Sequence, residues 1–115
     1  MRILLTGASG QLGGYLLRER MEQRMAVVAW SGRRSGELFG CPLRPVDLAD
    51  SDTVVAAFRE ARPDVVVHVA ALSGVADCHR EPERAEQINS RASALLAELA
   101  DLARIRLVHV STDMV

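Results

Sequence analysis

The chain has no lysine: all 14 of its basic residues are arginine, and 15 Asp and Glu residues balance them. The formal net charge of -1 leaves no excess of positive charge for binding a nucleic acid or an anionic membrane surface. We therefore expect neither as a partner. The missing lysine also excludes any mechanism in which this chain itself supplies a lysine amine.

Long apolar runs and cysteines are scarce as well. No apolar run approaches the roughly 20 residues that span a bilayer, and Met1 leads directly into the run 2–5 without the layout of a signal peptide. We expect a cytoplasmic protein. The two cysteines, Cys41 and Cys78, are too few for a disulfide framework, and the adjacent Asp77, Cys78 and His79 would rarely face one ion, so no metal site is expected.

The order of the apolar segments predicts the fold. A chain of 115 residues, 49% of them hydrophobic, fits one globular domain. Short continuous runs rich in β-branched residues predict strands covered on both faces, and segments with helical spacing lie between them. This alternation favours a Rossmann-like α/β fold, a doubly wound parallel sheet of about five strands. The predicted strands cover residues 3–5, 26–30, a weak 43–46, 65–69 and 107–110.

Three helices are predicted between these strands. The first covers about residues 11–23, the second follows the capping sequence Asp50-Ser51-Asp52, and the third begins near Pro82. The segment 31–45, rich in glycine and proline, is predicted to be a surface loop beside a ligand. The residues expected to face inward are Leu12, Leu16 and Met21 in the first helix, Val54, Phe58 and Ala61 in the second, and Ile88, Ala92, Leu95, Leu99 and Leu102 in the third.

Three further side chains have an expected place in this core. His68 and His109 lie in predicted buried strands, so we expect hydrogen-bonded core histidines rather than acid/base groups. Trp30 is expected to pack against the sheet or beside an adenine rather than to act as a recognition aromatic.

A glycine pattern follows the first strand and opens the first helix. Gly7, Gly10 and Gly13 stand three residues apart in the strand–turn–helix context that binds dinucleotides. Gly7 would permit the tight turn, Gly10 the approach of a diphosphate, and Gly13 close packing of the helix on the strand. The free amides at the helix start, at Gln11 and Leu12, would face the anion. The alternative is an ordinary glycine-rich turn without a ligand.

The end of the second strand bears on which dinucleotide is bound. An NAD-selective site places an Asp or Glu here to bind the ribose hydroxyls, but this chain has Ser31, Gly32, Arg33 and Arg34. Without that acid no carboxylate repels a 2′-phosphate, and guanidinium groups can form paired hydrogen bonds with the phosphate. The sequence therefore favours NADP, with NAD still possible. The alternative is that Arg33 and Arg34 are a solvated pair.

Five stretches in order resemble the extended short-chain dehydrogenase/reductase superfamily, most closely its dTDP-4-dehydrorhamnose reductase-like branch. The resemblance covers essentially the whole chain and implies an NAD(P)-binding Rossmann domain over residues 1–115, incomplete relative to the family. It also implies a parent reductase that transfers hydride to the 4-keto group of a nucleotide sugar. The matching stretches are residues 6–13 (TGASGQLG), 46–50 (VDLAD), 63–71 (PDVVVHVAA), 81–89 (EPERAEQIN) and 110–115 (VSTDMV).

The resemblance implies roles for individual residues. Asp47 and Leu48 would border the adenine, with helix capping as the alternative for Asp47. Ala70 and Ala71 would pass under the ribose and nicotinamide. The hydroxyl of Thr112 would form a hydrogen bond with the substrate carbonyl. The alternative is that Thr112 only caps a loop at the end of a strand.

The resemblance also implies a catalytic pair that the sequence does not contain. The family's proton donor is a tyrosine whose pKa a lysine lowers, in a Tyr-x-x-x-Lys pair downstream of residues 111–113. The only tyrosine here is Tyr15, on the first helix, and there is no lysine. We expect the chain to be the N-terminal part of a longer reductase, or a truncated product, that binds nucleotide without turnover. It could self-associate through the open edge of its last strand.

Two other functions remain open at this point. One is a non-catalytic nucleotide-binding regulatory subunit, as the beta subunit of methionine adenosyltransferase is in this branch. The other is an epimerase or dehydratase of a different nucleotide sugar, because a shared scaffold does not fix the reaction.

Overall fold

The computed structural model describes residues 1–32, 34–69 and 87–110, without the side chains of 87–89. The strands are β1 (Arg2–Leu5), β2 (Ala26–Ser31), β3 (Gly36–Leu38), β4 (Cys41–Pro45), β5 (Val65–His68) and β6 (Arg106–His109). The α-helices are α1 (Gln11–Glu22), α2 (Ser51–Ala61) and α3 (Ser93–Ala103), and a π-helical segment (Gln87–Ala92) runs directly into α3.

The strands form one sheet in the order β3-β4-β2-β1-β5-β6. All pairs are parallel except β3 with β4. From β1 the chain moves outward through β2 to β4, then crosses back to β5 on the other side of β1. The strand order therefore reverses between β1 and β5, the place where open α/β sheets bind ligands. The doubly wound parallel sheet expected from the sequence is confirmed.

The sheet has six strands in the described residues rather than about five, because part of the predicted loop 31–45 is a hairpin. Leu38 pairs with Cys41 across the two-residue turn Phe39-Gly40, whose φ angles are 53° and 80°. Positive φ at both positions is the geometry of the favoured two-residue hairpin turn. Glycine commonly adopts positive φ but phenylalanine does not, so residue preferences carry no turn signal at Phe39.

The core lies on both faces of the sheet. On one face α2 and α3 cover Leu4, Trp30 and Val66, and on the other α1 covers Leu5 and Ala29. The inward residues predicted for α2 are confirmed: Val54, Phe58 and Ala61 are buried. Burying each of the two larger side chains contributes about 2 kcal/mol.

Trp30 belongs to the part of the core on the α2 side of the sheet. Its side chain is buried, as expected for a packing residue. The indole Nε1–H finds no acceptor among the described residues, which costs about 1–3 kcal/mol. The large buried apolar surface of the ring offsets that cost.

Two predicted helix faces were partly wrong. In α1 the fully buried residue is Leu17, whereas Leu12 is 36% exposed, because the contact of Gly13 with the glycine turn rotates positions 13 and 17 toward the sheet. In α3 the buried positions are Leu96 and Ala100, and Leu102 is 74% exposed. Leu16, Met21, Leu95 and Leu99 are half-buried and pack against the core as predicted.

The start of α2 confirms the predicted cap. Asp50 accepts a hydrogen bond from the Thr53 amide at 3.3 Å, and hydrogen bonds from Thr53 lower the pKa of its carboxyl. Asp52 adds a second acid to the first turn, where the helix dipole favours negative charge. Within the described ranges, none of the helices combines the length and apolar character that crossing a bilayer would require.

Candidate functional site

The carboxyl ends of the parallel strands gather most of the described candidate residues at one edge of the sheet. The first of these segments is the turn between β1 and α1. Gly7 has φ 67°, the amide of Ala8 donates to the carbonyl of Trp30 at 3.1 Å, and the amide of Gly10 donates to the carbonyl of Gly7 at 3.0 Å. The turn is therefore compact and tied to the end of β2.

Gly13 fixes how closely α1 approaches this turn. A Cβ at Gly13 would lie 1.8 Å from the carbonyl oxygen of Gly7 and 2.6 Å from its carbon, so any side chain would displace the backbone. A Cβ at Gly10 would meet the same oxygen only at 3.4 Å. Packing within the chain therefore requires glycine at position 13. Gly10 leaves the outer side of the turn open.

The amino-terminal end of α1 has amide donors that the helix itself leaves unbonded, and its first turn carries no negative charge. Its N-cap is Gly10, which has no side chain to cap the helix, and its first turn holds no acidic residue. The amides of Gln11, Leu12 and Gly13 have no acceptor within the helix because they belong to its first turn. Helix α2 differs, since Asp50 and Asp52 occupy its start. The start of α1 is therefore suited to an anion from outside the chain.

The ends of β2 and β4 lie side by side, with Ser31 paired in register with Pro45. Ser31 is buried, and its hydroxyl donates to the carbonyl oxygen of Arg34, whose side chain is exposed. Asp47 is exposed, and its Oδ1 accepts from the amide of Ala49 at 3.0 Å. This bond closes a local turn before α2 rather than capping the helix, because the N-cap of α2 is Asp50. Leu48 is half-buried against the α2 side of the core.

A chain of hydrogen bonds crosses the point where the strand order reverses. Thr6 Oγ1 lies 2.7 Å from His68 Nδ1 and accepts from the amide of Val69 at 2.9 Å. His68 Nε2 lies 3.0 Å from Ser93 Oγ. Burial, and secondarily the neighbouring His109, lower the pKa of His68 to about 4, so the ring is neutral at physiological pH.

These contacts correct one expectation about the histidines. His68 is the hydrogen-bonded core histidine that the sequence predicted. His109 is not a core residue: its ring stacks on His68 at 5.0 Å between centroids, but it stands exposed on β6, which forms an edge of the described sheet. Sequence reasoning missed Thr6 and Ser93. The available signal was a hydroxyl residue directly before the glycine turn.

Several predicted site residues lie outside the described residues. The cluster at residues 77–79 is among them, and the residues that the structure does describe contain no group of three potential metal ligands. The other predicted positions of this kind are Arg33, Ala70, Ala71 and Thr112.

The chain matches one protein family over its whole length. The family described as "RmlD substrate binding domain" matches residues 1–115. A probable low-salt glycan biosynthesis reductase of Haloferax volcanii is 38% identical over 115 residues, which are 100% of this chain and 38% of that protein. Methionine adenosyltransferase 2 subunit beta of Rattus norvegicus is 32% identical over 114 residues, 99% of this chain and 33% of that protein.

Solved structures agree with the fold. A UDP-glucose 4-epimerase of Thermus thermophilus in complex with NAD superposes with a TM-score of 0.82 at 30% identity, covering 97% of this chain and 38% of that one. A hypothetical dTDP-4-dehydrorhamnose reductase of Sulfolobus tokodaii superposes with a TM-score of 0.80 at 35% identity, covering 98% of this chain and 40% of that one. The chain thus spans well under half the length of these relatives.

Proposed function

Because the chain belongs to the RmlD substrate binding domain family, within the extended short-chain dehydrogenases/reductases, we propose that it is the NAD(P)-binding portion of a nucleotide-sugar reductase. The observation that carries the proposal is the start of α1. There a glycine turn ends in three amides without an intrahelical acceptor, with no acid in the first turn, beside the reversal of strand order. Neutral N–H donors at the positive end of a helix fit a diphosphate.

Each element of the site has a proposed part in holding the dinucleotide. Gly7, Gly10 and Gly13 shape the turn, and the amides of Gln11 and Leu12 bind the diphosphate. The adenine lies at the ends of β2 and β4, near Asp47 and Leu48, and the ribose and nicotinamide lie along Ala70 and Ala71.

The preference for NADP is part of the proposal. At the end of β2 the chain has Ser31 where a carboxylate would repel a 2′-phosphate, and the exposed Arg34 follows within three residues. Arg33 is adjacent in the sequence. Opposite charge at this edge of the sheet favours the phosphorylated ribose. The similar epimerase was solved with NAD, so we include that dinucleotide as the competitor in the test.

The nicotinamide, when bound, would supply hydride to a 4-keto sugar. The part of this chain in that reaction is to orient the dinucleotide and, through Thr112, to donate a hydrogen bond to the carbonyl of the sugar. The chain has no lysine to lower the pKa of a tyrosine, so we propose that the 115 residues bind without turnover.

A second candidate function is a non-catalytic regulatory subunit. The similarity to methionine adenosyltransferase 2 subunit beta covers 99% of this chain at 32% identity, which favours this candidate specifically. Both candidates require the same dinucleotide site. A Tyr-x-x-x-Lys pair in the parent protein would favour the reductase, and its absence would favour the regulator.

The test is calorimetric titration of the 115-residue chain with NADPH and NADH. The proposal expects saturable binding of one dinucleotide per chain, tighter for NADPH. Replacing Arg34 by Gln should weaken NADPH binding and leave NADH binding unchanged, while Arg18→Gln, on the exposed face of α1, should change neither. Absence of binding would refute the site, and equal affinities would refute the preference for NADP. In the same samples, steady oxidation of NADPH in the presence of a dTDP-4-keto sugar would refute the proposed lack of turnover.

A further inference from the structure

Three side chains from different elements meet at the reversal of strand order. His68, at the end of β5, is fully buried, and both of its ring nitrogens have hydroxyl partners. Thr6 follows β1 directly, and Ser93 is the first residue of α3 after the π-helical segment. These contacts therefore connect the end of β1, the end of β5 and the start of α3.

Thr6 extends the pairing of β1 and β5 up to the glycine turn. Its amide donates to the carbonyl of Val67 at 3.0 Å, and its hydroxyl accepts from the amide of Val69 at 2.9 Å. The side chain thus acts where the two strands separate, one residue before Gly7. A displacement of Thr6 would move the turn, because consecutive residues of the chain are covalently joined.

The neutral ring of His68 couples the two hydroxyls. In one tautomer Thr6 donates to Nδ1 and Nε2–H donates to Ser93, and in the other tautomer both bonds reverse. Either arrangement satisfies the buried ring. Breaking one of the bonds leaves a buried polar atom without its partner, which the surrounding structure resists. Helices with a π-helical turn often carry functional sites at that point, and Ser93 lies directly after this one.

We propose that His68 is a positioning residue which, through Thr6, holds the glycine turn against the end of β5 and so preorganises the dinucleotide site. The inference rests on the proposed function. A turn that is already ordered loses less conformational entropy when the dinucleotide binds, so the contribution of His68 appears as affinity. A residue that only filled the core would affect stability without a specific effect on the turn.

Paired substitutions separate the two roles. His68→Asn keeps a polar atom near the position of Nδ1, facing Thr6, whereas His68→Gln places its polar atoms near Nε2, facing Ser93. Thr6→Ser keeps the hydroxyl, and Thr6→Val removes it at nearly equal volume. Val66→Ala is the matched control, because Val66 is fully buried on the same face of β5 as His68 but has no polar group to bond Thr6.

The test compares hydrogen exchange of the Ala8 and Gly10 amides, which are hydrogen-bonded in the glycine turn, with the Kd for NADPH. Exchange is measured in the dinucleotide-free chain, and both measurements are made well below the unfolding temperature. Loss of one hydrogen bond corresponds to about tenfold, so we expect Thr6→Val and His68→Gln to accelerate exchange and to raise Kd by about that factor. Thr6→Ser and His68→Asn should stay within about twofold of the parent chain. Val66→Ala should lower Tm and change neither quantity.

The two proposals fail in different ways. If the parent chain does not bind NADPH, the proposed function is wrong, and hydrogen exchange of the free chain still decides on His68. Unchanged exchange in Thr6→Val and His68→Gln would overturn the positioning role. An equal effect of Val66→Ala on the turn would overturn it as well, because it would show that loss of core packing alone loosens residues 7–13.

Discussion

Replacing Gly10 by Asp should raise the stability of the chain and strongly weaken its binding of a dinucleotide. Gly10 is the N-cap of α1 with φ -79° and ψ 176°, an extended conformation that any residue adopts. A Cβ there would lie 3.4 Å from the Gly7 carbonyl oxygen, so a side chain fits with little adjustment. An aspartate would cap α1 as Asp50 caps α2.

The structure sets the size of both effects. Asp in place of Gly at an N-cap adds a few tenths of a kcal/mol, and a negative charge at the helix start adds about 0.3–1 kcal/mol. Together these raise Tm by about 4 °C in a domain of this size. A carboxylate about 4 Å from a phosphate opposes binding by about 4 kcal/mol at an effective dielectric constant of about 20. We therefore expect the Kd for NADPH to rise at least about 100-fold.

Gly10→Asn is the matched control, because asparagine caps helices about as well as aspartate but carries no charge. The parent chain, Gly10→Asp and Gly10→Asn are compared by Tm from thermal unfolding and by Kd from calorimetric titration. Binding is measured at 25 °C, and all samples contain 0.15 M salt. We expect Asn to gain only the capping part of the stability, a few tenths of a kcal/mol, and to lose much less affinity. If Gly10→Asp is stabilised and still binds NADPH like the parent chain, then no anion lies at the start of α1 and the reasoning is refuted.

Three further predictions follow from the described structure. Leu17→Ala should lower the free energy of unfolding in urea by about 2–5 kcal/mol and Leu12→Ala by less than about 0.5 kcal/mol, and equal losses would contradict the described face of α1. Phe39→Asn should add about 1 kcal/mol by relieving a positive φ, and destabilisation would instead indicate that the ring has a packing role. The pKa of His68 is lowered to about 4, so the unfolded chain takes up its proton first and stability should fall by up to about 1.4 kcal/mol per unit as pH drops from 6.5 toward 4. His68→Asn should remove that part of the slope in urea titrations, and an unchanged slope would show that other groups cause it.

Local sequence signals predicted most of the fold. The β-branched runs mark β1, β2, β5 and β6, and the short acidic stretch before α2 contains its cap. The hairpin was missed because its turn depends on Phe39 in a conformation that local preference disfavours. The tertiary pairing of Leu38 with Cys41 stabilises it, and single-sequence patterns do not report such pairing.

The orientation of α1 shows a second limit. Leucines at positions 12, 16 and 17 permit more than one apolar face, so periodicity alone does not choose among them. The contact of Gly13 with Gly7 decides, and it makes Leu17 the buried residue. The spacing of Gly7 and Gly13 therefore determines which leucine is buried, but it does so through backbone packing and not through apolar periodicity.

The candidate site also contains features that local sequence predicts and features that depend on long-range contacts. The glycine turn could be predicted because its spacing is local, and the structure brings its residues together as expected. The bond between Thr6 and His68 joins residues 62 positions apart, so no local pattern announced it. The exposure of His109 follows from its place on an edge strand, which depends on the topology of the whole sheet.

The most direct test of the account is a titration of the isotopically labelled chain with NADPH, followed through its backbone amide resonances. The account predicts that Gln11, Leu12 and Gly13 show the largest shifts, with smaller ones at the ends of β2 and β4. Saturating binding that leaves the resonances of residues 7–13 unmoved would contradict it.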